Sequence, residues 1–438
     1  LKDTIYALAT PPGRSGVAVM RLSGPEAGAL LQKVTGAEQL TPRKAALRDF
    51  RDENGAVFDR GLAFWFPAPA SFTGENSAEL HLHGGPAVIE AAARTLLALG
   101  GRPAEAGEFT RRAFENGKLD LTEAEGLADL IDAETEGQRA QALAQMSGSL
   151  KHLYEGWREQ LISILAAIEG EIDFPDEADV PDAQSHAAFE PLGALIAALE
   201  EHLDDGRRGE RVRDGFTIAL IGAPNAGKSS LLNKLAGREA AIVTDIPGTT
   251  RDVIEVRLIM AGFPVSVLDT AGLREAVDAI EAEGVRRALE RAGHADLRIG
   301  VADARELDQL EALRGQLNED DLVVLNKLDL KPGAEAEKAM GVSAKSGEGI
   351  SALEQRIEDV VRERLSAREA PALSRARHRR AVESARSALG RCRDRLGDAP
   401  ELAGEDARLA VRALESLTGR VDVEDVLDRI FSQFCIGK

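Results

Sequence analysis

Apolar and polar positions change rhythm three times along the chain. Over the first 118 residues the apolar runs are short (IYALAT, GVAVMRLSG, GLAFWF, AELHLHGG) and are broken by Pro and Gly, a pattern that predicts strands joined by turns. In AELHLH the side chains alternate, which puts Leu80 and Leu82 on one face of the strand and Glu79, His81 and His83 on the other. Between Pro86 and Leu99 the apolar spacing becomes helical, and Gly100 and Gly101 follow as a stop. The segment reads as a compact α+β domain.

From Thr122 the spacing of Leu127, Leu130 and Ile131 predicts long helices, and Thr122 with Glu125 has the separation of a capping box. An acidic, Pro-containing link, DFPDEADVPD at 173–182, precedes a second helical stretch that runs to about Leu203. FTIALIG then begins a buried strand, and strands alternate with helices to about residue 367, as a parallel sheet requires. After Pro371 the pattern is helical again, from about Ser374 to Phe434. The economical division is an N-terminal domain over 1–118, a helical domain split between 119–211 and 370–438, and an α/β domain over 212–369 inserted into it.

The 438 residues carry 54 basic and 74 acidic side chains, a net charge of -20 that argues against holding nucleic acid by bulk electrostatics. Any RNA contact should be local or shared with a partner. Two cysteines, Cys392 and Cys435, make no disulfide framework and have no metal-ligand spacing, which fits a reducing cytoplasm. The opening LKDTIYALATPPG has no basic region with a long apolar stretch, so no secretory leader is expected, and no run approaches the roughly 18 apolar residues of a membrane span.

Four strings in the α/β domain carry chemistry: GAPNAGKS from Gly222, DIPGTTRD from Asp245, DTAG from Asp269 and NKLD from Asn326. The first lies between a strand and a helix, the context of a phosphate-binding loop. Its glycines let backbone N–H groups of Asn225, Ala226 and Gly227 turn toward phosphates, with Lys228 reaching the outer phosphates and the Ser229 and Ser230 hydroxyls opening the helix. Ser229 is the expected Mg²⁺ ligand, and Thr250 the second, in a loop holding Thr244, Asp245, Ile246, Pro247, Gly248 and Thr249. Asp269 should hold Mg²⁺ through water, and Thr270, Ala271 and Gly272 should lie beside the γ-phosphate. Asp329 can accept from the N1 and 2-amino edge of guanine, Lys327 can lie along the base, and Ser343, Ala344 and Lys345 can close the pocket. Together the four strings describe a Ras-like P-loop G domain within a multidomain α/β protein.

Two positions depart from the Ras pattern. Leu273 follows DTAG where a Gln would position attacking water, so either hydrolysis is absent or another group does that work, with candidates in the acidic stretch REAVDAIEAE. Asn225 inside the phosphate loop offers an amide oxygen that could help bind a monovalent cation, or it is a plain turn former.

The whole chain resembles the MnmE (TrmE) family of tRNA-modification GTPases. The resemblance is carried by ATPPGRSGVAVMRLSGP, SFTGENSAELHLHGG, RPAEAGEFTRRAFENGKLDLTEAEGLADLI, the four nucleotide strings and the final CIGK. It implies a K⁺ site formed by Asn225, Thr244, Ile246 and Thr249, and Glu281 as a general base acting through water. It also implies G domains that pair face to face, a homodimer, and an FAD-dependent MnmG-type partner in a heterotetramer. With that partner the family builds an aminomethyl or carboxymethylaminomethyl group at C5 of the wobble uridine of tRNA. A 5-formyl- or 5,10-methylene-tetrahydrofolate supplies the carbon, and Arg21, Glu79, Lys118 and Lys438 match the folate-binding positions. The resemblance places Cys435 near that folate, where its thiol would join the chemistry.

The residues leave other readings in view. The basic segment SRARHRR at 374–380, continuing through Arg386, Arg391, Arg393 and Arg395, is a candidate tRNA-facing helix face or a solvated one. His81 and His83 lack an evident third metal ligand, Gly206 to Gly209 has the letters of a KH clamp without its fold, and CIGK does not fit a prenylation box. A ribosome-assembly GTPase of the Era or Der kind would need a KH domain or a second G domain, and a non-catalytic folate-binding scaffold would use its G domain only as a switch.

Overall fold

The computed structural model describes residues 3–173, 184–205, 207–237, 255–269, 293–366, 371–421, 424–432, 434 and 436–437. Contacts group the chain into two compact units, one of residues 1–128, 144–193 and 387–438, the other of 129–143 and 194–386.

In the first unit, strands β1 (Ile5–Leu8), β2 (Ser15–Ser23), β3 (Ala46–Arg51), β4 (Val57–Phe66), β5 (Ser77–Gly84) and β6 (Arg102–Pro103) form one sheet in the order β3-β4-β5-β2-β1-β6. All its pairings are antiparallel except β1 with β6. Helix α1 (Ala27–Thr35) and helix α2 (Pro86–Ala98) pack on the sheet, and Pro86 opens α2 where its missing N–H has no intrahelical partner to lose. Leu80 and Leu82 are buried with Met20, Leu22, Phe50 and Leu96, while Glu79 and His81 are only partly covered. Each leucine so buried contributes about 1.5–3 kcal/mol.

Helix α3 (Glu108–Glu115) leads into α4 (Leu121–Asp132), which is followed by α5 (Glu136–Met146), α6 (Ser149–Asp173) and α7 (Gln184–Leu203). The capping box of α4 lies two residues earlier than the Thr122 and Glu125 spacing suggested. Asp120 Oδ1 accepts from the Glu123 N–H at 2.8 Å, and the Asp120 N–H donates back to Glu123 Oε2 at 2.7 Å. Thr122 instead donates to Asp120 Oδ1 at 2.7 Å, and Glu125 is fully buried. Aspartate caps as well as threonine does, so the pattern alone permitted both registers.

The second unit holds α8 (Arg208–Asp214), β7 (Phe216–Ile221), α9 (Lys228–Ala236), β8 (Glu255–Met260), β9 (Phe263–Asp269), β10 (Leu297–Asp303), α10 (Gln309–Arg314), β11 (Leu322–Asn326), β12 (Met340–Gly341) and α11 (Ile350–Leu365). The sheet order is β12-β11-β10-β7-β9-β8, parallel throughout except for β8 against β9. Every residue of β11 is buried, as in a strand covered on both faces. The C-terminal ends of β7, β9 and β11 run into GAPNAGKS, DTAG and NKLD, where open α/β sheets bind ligands, and β10 ends at Asp303, which pairs with Lys327 of NKLD.

The chain closes with α12 (Ala376–Arg395), α13 (Pro400–Thr418) and α14 (Glu424–Phe431). Helices α6 and α13 lie antiparallel, with Arg158 to Glu415 at 2.8 Å and Arg408 to Glu169 at 2.7 Å along their shared edge. Phe431 and Phe434 pack with Leu121, and Ile436 makes an antiparallel bridge to Ala106, so the C-terminus docks on the N-terminal segment.

Candidate functional site

The phosphate loop joins β7 to α9. Asn225 within it has φ 63°, and Gly227, at φ 93°, opens the helix. A Cβ on Gly227 would lie 2.2 Å from Asn326 Nδ2, so this position admits only hydrogen. The approach is functional in geometry: Asn326 Nδ2 donates to the Ala226 carbonyl at 3.0 Å, while its Oδ1 accepts from the N–H of Lys327 at 2.8 Å and of Ala344 at 3.1 Å. One buried amide thus ties together the phosphate loop, NKLD and SAK.

Lys228 is buried and its Nζ contacts the carbonyls of Gly222 and Ala223 at 2.9 and 2.8 Å, inside the loop. Ser229 Oγ donates to Oδ2 of Asp269, which is fully buried at the end of β9. These two hard oxygen donors, drawn from separate strings, suit Mg²⁺. Ser230 follows on the exposed first turn of α9.

On the base side, Lys327 has φ 67° and its Nζ reaches the Asn225 carbonyl at 2.5 Å and Asp303 Oδ2 at 2.9 Å. Asp329 Oδ1 accepts from Ser343 Oγ at 2.7 Å, which fixes the carboxylate beside Ala344, and Lys345 is exposed next to them. Asp303 was not singled out from the sequence, although it ends the apolar strand LRIGVAD as Asp269 ends FPVSVLD. Hydrogen bonds from Arg305, opposed by burial and joined by Lys327, hold its carboxyl well below the usual carboxylate range. It is a fixed negative charge that positions the lysine of NKLD.

Thr244, Asp245, Ile246, Pro247, Gly248, Thr249 and Thr250 lie outside the described residues, as do Thr270, Ala271, Gly272, Leu273, Glu281, Cys435 and Lys438. Of the expected K⁺ ligands the structure therefore describes Asn225 alone, and of the expected Mg²⁺ ligands Ser229 alone. The other cysteine, Cys392, is fully buried, and burial, with Asp406 nearby, pushes its thiol up to about 11. That thiol is not a nucleophile near neutral pH.

The N-terminal unit has a second site. Arg21 on β2 and Glu79 on β5 are direct cross-strand partners, with Arg21 Nη2 and Nε donating to Glu79 Oε1 at 2.9 and 3.1 Å. The other carboxylate oxygen of Glu79 lies 3.3 Å from His81 Nε2. Arg21, Glu79 and Lys118, far apart in sequence, all line one cavity of about 390 Å³. Its remaining walls include Arg43, Phe66, Ser71, Phe72, Thr73 and Ser77, none of which was named as a site residue from the sequence, although 71–77 belong to the motif SFTGENS. The wall formed by 71–77 is anchored from below: Ser23 Oγ is 2.6 Å from Thr73 Oγ1 and donates to Glu75 Oε2 at 2.7 Å. Glu75 in turn receives the fully buried Arg112 at 3.1 Å. His83 pairs with Asp59 at 2.8 Å, on its own strand partner rather than in the cavity.

The basic helix α12 presents less free charge than its composition suggests. Arg379 is buried between Asp205 at 2.9 Å and Glu210 at 3.1 Å, and Arg375 pairs with Asp129 at 2.6 Å. Arg391 and Arg395 share Asp406 at 2.9 and 2.7 Å. Arg375 and Arg379 thus close on the fold, while Arg391 and Arg395 pair with Asp406 and stay exposed at 47% and 44%.

Residues 4–118 match the family model described as the GTP-binding protein TrmE N-terminus, and residues 121–435 match that of the MnmE helical domain. The chain belongs to the MnmE family. The tRNA modification GTPase MnmE of Maricaulis maris is 72% identical over 438 residues, covering 100% of both chains. The MnmE proteins of Parvibaculum lavamentivorans and Hyphomonas neptunium are 58% and 52% identical over 441 residues, covering 100% of this chain and 100% and 99% of theirs. As an MnmE-family member the chain is a GTP hydrolase of tRNA modification. Among the described residues no helix is long and apolar enough to cross a membrane.

Proposed function

We propose that this chain is a K⁺-activated GTPase of the cytoplasm. With an FAD-dependent MnmG-type partner it adds an aminomethyl or carboxymethylaminomethyl group at C5 of the wobble uridine of tRNA, taking the carbon from 5-formyl- or 5,10-methylene-tetrahydrofolate. Lys228 and the loop N–H groups take the phosphates, Ser229 with Thr250 holds Mg²⁺, and Asp329 reads guanine. Bound Mg²⁺ would neutralise charge developing on the phosphates. Asn225 with Thr244, Ile246 and Thr249 forms the K⁺ site, and Glu281 is the general base acting through water. Domains run over 1–118, 119–211, 212–369 and 370–438.

The observation that carries this reading is the convergence of Arg21, Glu79 and Lys118 on one cavity. Glu79 can accept from the amide edge of a pterin, and cations can take the carboxylates of a folate. Lys438 as a folate-binding residue and Cys435 in the one-carbon chemistry complete the proposed site, as the family resemblance implies. A homodimer is supported by the sheet face opposite the helices, where Leu47 and Leu62 are cross-strand partners 54% and 39% exposed.

Titration of the full-length protein with 5-formyltetrahydrofolate tests the reading. Wild type should bind, and Glu79→Gln and Arg21→Ala should each weaken binding roughly tenfold or more. Absence of binding by folded wild type, or equal affinity in both variants, contradicts it.

A further inference from the structure

Charge in the N-terminal cavity is unevenly spent. Arg21 is neutralised by Glu79 through two hydrogen bonds, so that pair presents a polar edge with no net charge. Arg43 and Lys118 line the same cavity, and among the described residues neither has a carboxylate partner. The cavity therefore offers two uncompensated cations in a protein whose net charge is -20.

Arg43 is also held in place. Its backbone takes the left-handed conformation, φ 61°, with its N–H donating to the Trp65 carbonyl at 2.9 Å. A residue other than Gly in that region costs of order 1 kcal/mol, which the end of β4 must hold in place. The guanidinium lies 6.0 Å from the centre of the Phe66 ring and donates to the Ala70 carbonyl. Phe66 is in turn stacked on Phe64, with centroids 6.3 Å apart and planes 5° from parallel. Backbone carbonyl, aromatic face and strand end orient the group while leaving its charge unmatched.

We infer that Arg43 is a specificity residue of this cavity that takes a carboxylate of the ligand's glutamyl tail, with Lys118 as the second cation. The inference rests on the folate reading of the cavity and deepens it. A folate divides into a flat pterin whose amide edge suits Glu79, a benzoyl ring that suits the Phe66 face, and a glutamyl end with two carboxylates. A planar guanidinium can bind a carboxylate through two parallel N–H bonds, which a neutral side chain cannot do. Arg43 thereby distinguishes ligands by their tail, and the Arg21 and Glu79 pair distinguishes them by their ring.

The test uses full-length protein and two probes, 5-formyltetrahydrofolate and a tetrahydropterin lacking the aminobenzoyl-glutamate tail. Arg43→Gln keeps a donor for the Ala70 carbonyl while removing the charge, and should weaken the tailed ligand roughly tenfold while leaving the tailless one unchanged. Arg43→Lys should recover part of the loss, and the affinity of wild type for the tailed ligand should fall more steeply with salt than that of Arg43→Gln. Equal weakening of both ligands, or no weakening of either while wild type binds, overturns the role of Arg43. Failure of wild type to bind either probe overturns the folate reading itself, and with it this one.

Discussion

Asn326 has no charge and no reactivity, yet its amide joins its own loop to one 18 residues on and to the phosphate loop 100 residues earlier, through a gap that only Gly227 leaves open. The N-terminal unit has a charged counterpart in Arg112, fully buried with Asp3, Glu75 and Glu108 around it. Burial alone would raise the Glu108 carboxyl, but hydrogen bonds from Arg102, the Glu105 N–H and Arg112 outweigh it and hold the group below its usual range. Asp3 is lowered chiefly by its bond from Arg102. A carboxyl depressed in the folded state contributes stability above its unfolded pKa and loses it as pH falls through the folded one. Protection of the β1 and β2 amides from hydrogen exchange should therefore weaken as pH drops below about 4, and Glu108→Gln should flatten that acid limb. An unchanged pH slope in the variant would contradict the role given to the cluster. The nucleotide residues were legible in sequence because phosphates and guanine demand fixed residue types at fixed spacing. Arg43, Phe66 and Asp303 were not, since each acts through neighbours that only the folded sheet supplies.

Among the elements, the strand, loop and helix around GAPNAGKS emerge where the hydrophobic pattern put them, as β7 and α9. The pattern did less well with caps and helix faces. It could not separate Asp120 from Thr122 as the cap of α4, and it did not show that Arg379 of α12 is buried against Asp205, a carboxylate from another part of the chain. The start of α5 shows another tertiary choice. Gly137 donates its N–H to the Gly262 carbonyl at 3.0 Å, and a Cβ on it would meet the Phe263 ring at 2.4 Å, so α5 rests directly on the turn of the β8 and β9 hairpin. Gln138 and Gln141 extend the contact to the carbonyls of Arg213 and Gly209, each at 2.9 Å. Gly137→Leu should force this contact apart and cost about 1–3 kcal/mol, read as a lower urea midpoint of the second unit. A midpoint equal to wild type would show that the close approach is not needed.

For the molecule as a whole, two candidate sites occupy two different units: nucleotide loops at one end of a parallel sheet, and a cationic cavity beside an antiparallel one. The proposed function uses both, and the departures from the Ras pattern bear on the first. Leu273 cannot position water, and Asn225 stands in the phosphate loop where an amide oxygen can take a monovalent ion. The account therefore makes catalysis depend on the identity of a cation rather than on ionic strength. GTP turnover by the purified protein in K⁺ and in Na⁺ at equal ionic strength tests this most directly. The account predicts turnover at least tenfold faster in K⁺, a difference of about 1.4 kcal/mol in the barrier, with Asn225→Ala abolishing the difference; equal rates in the two salts would contradict it.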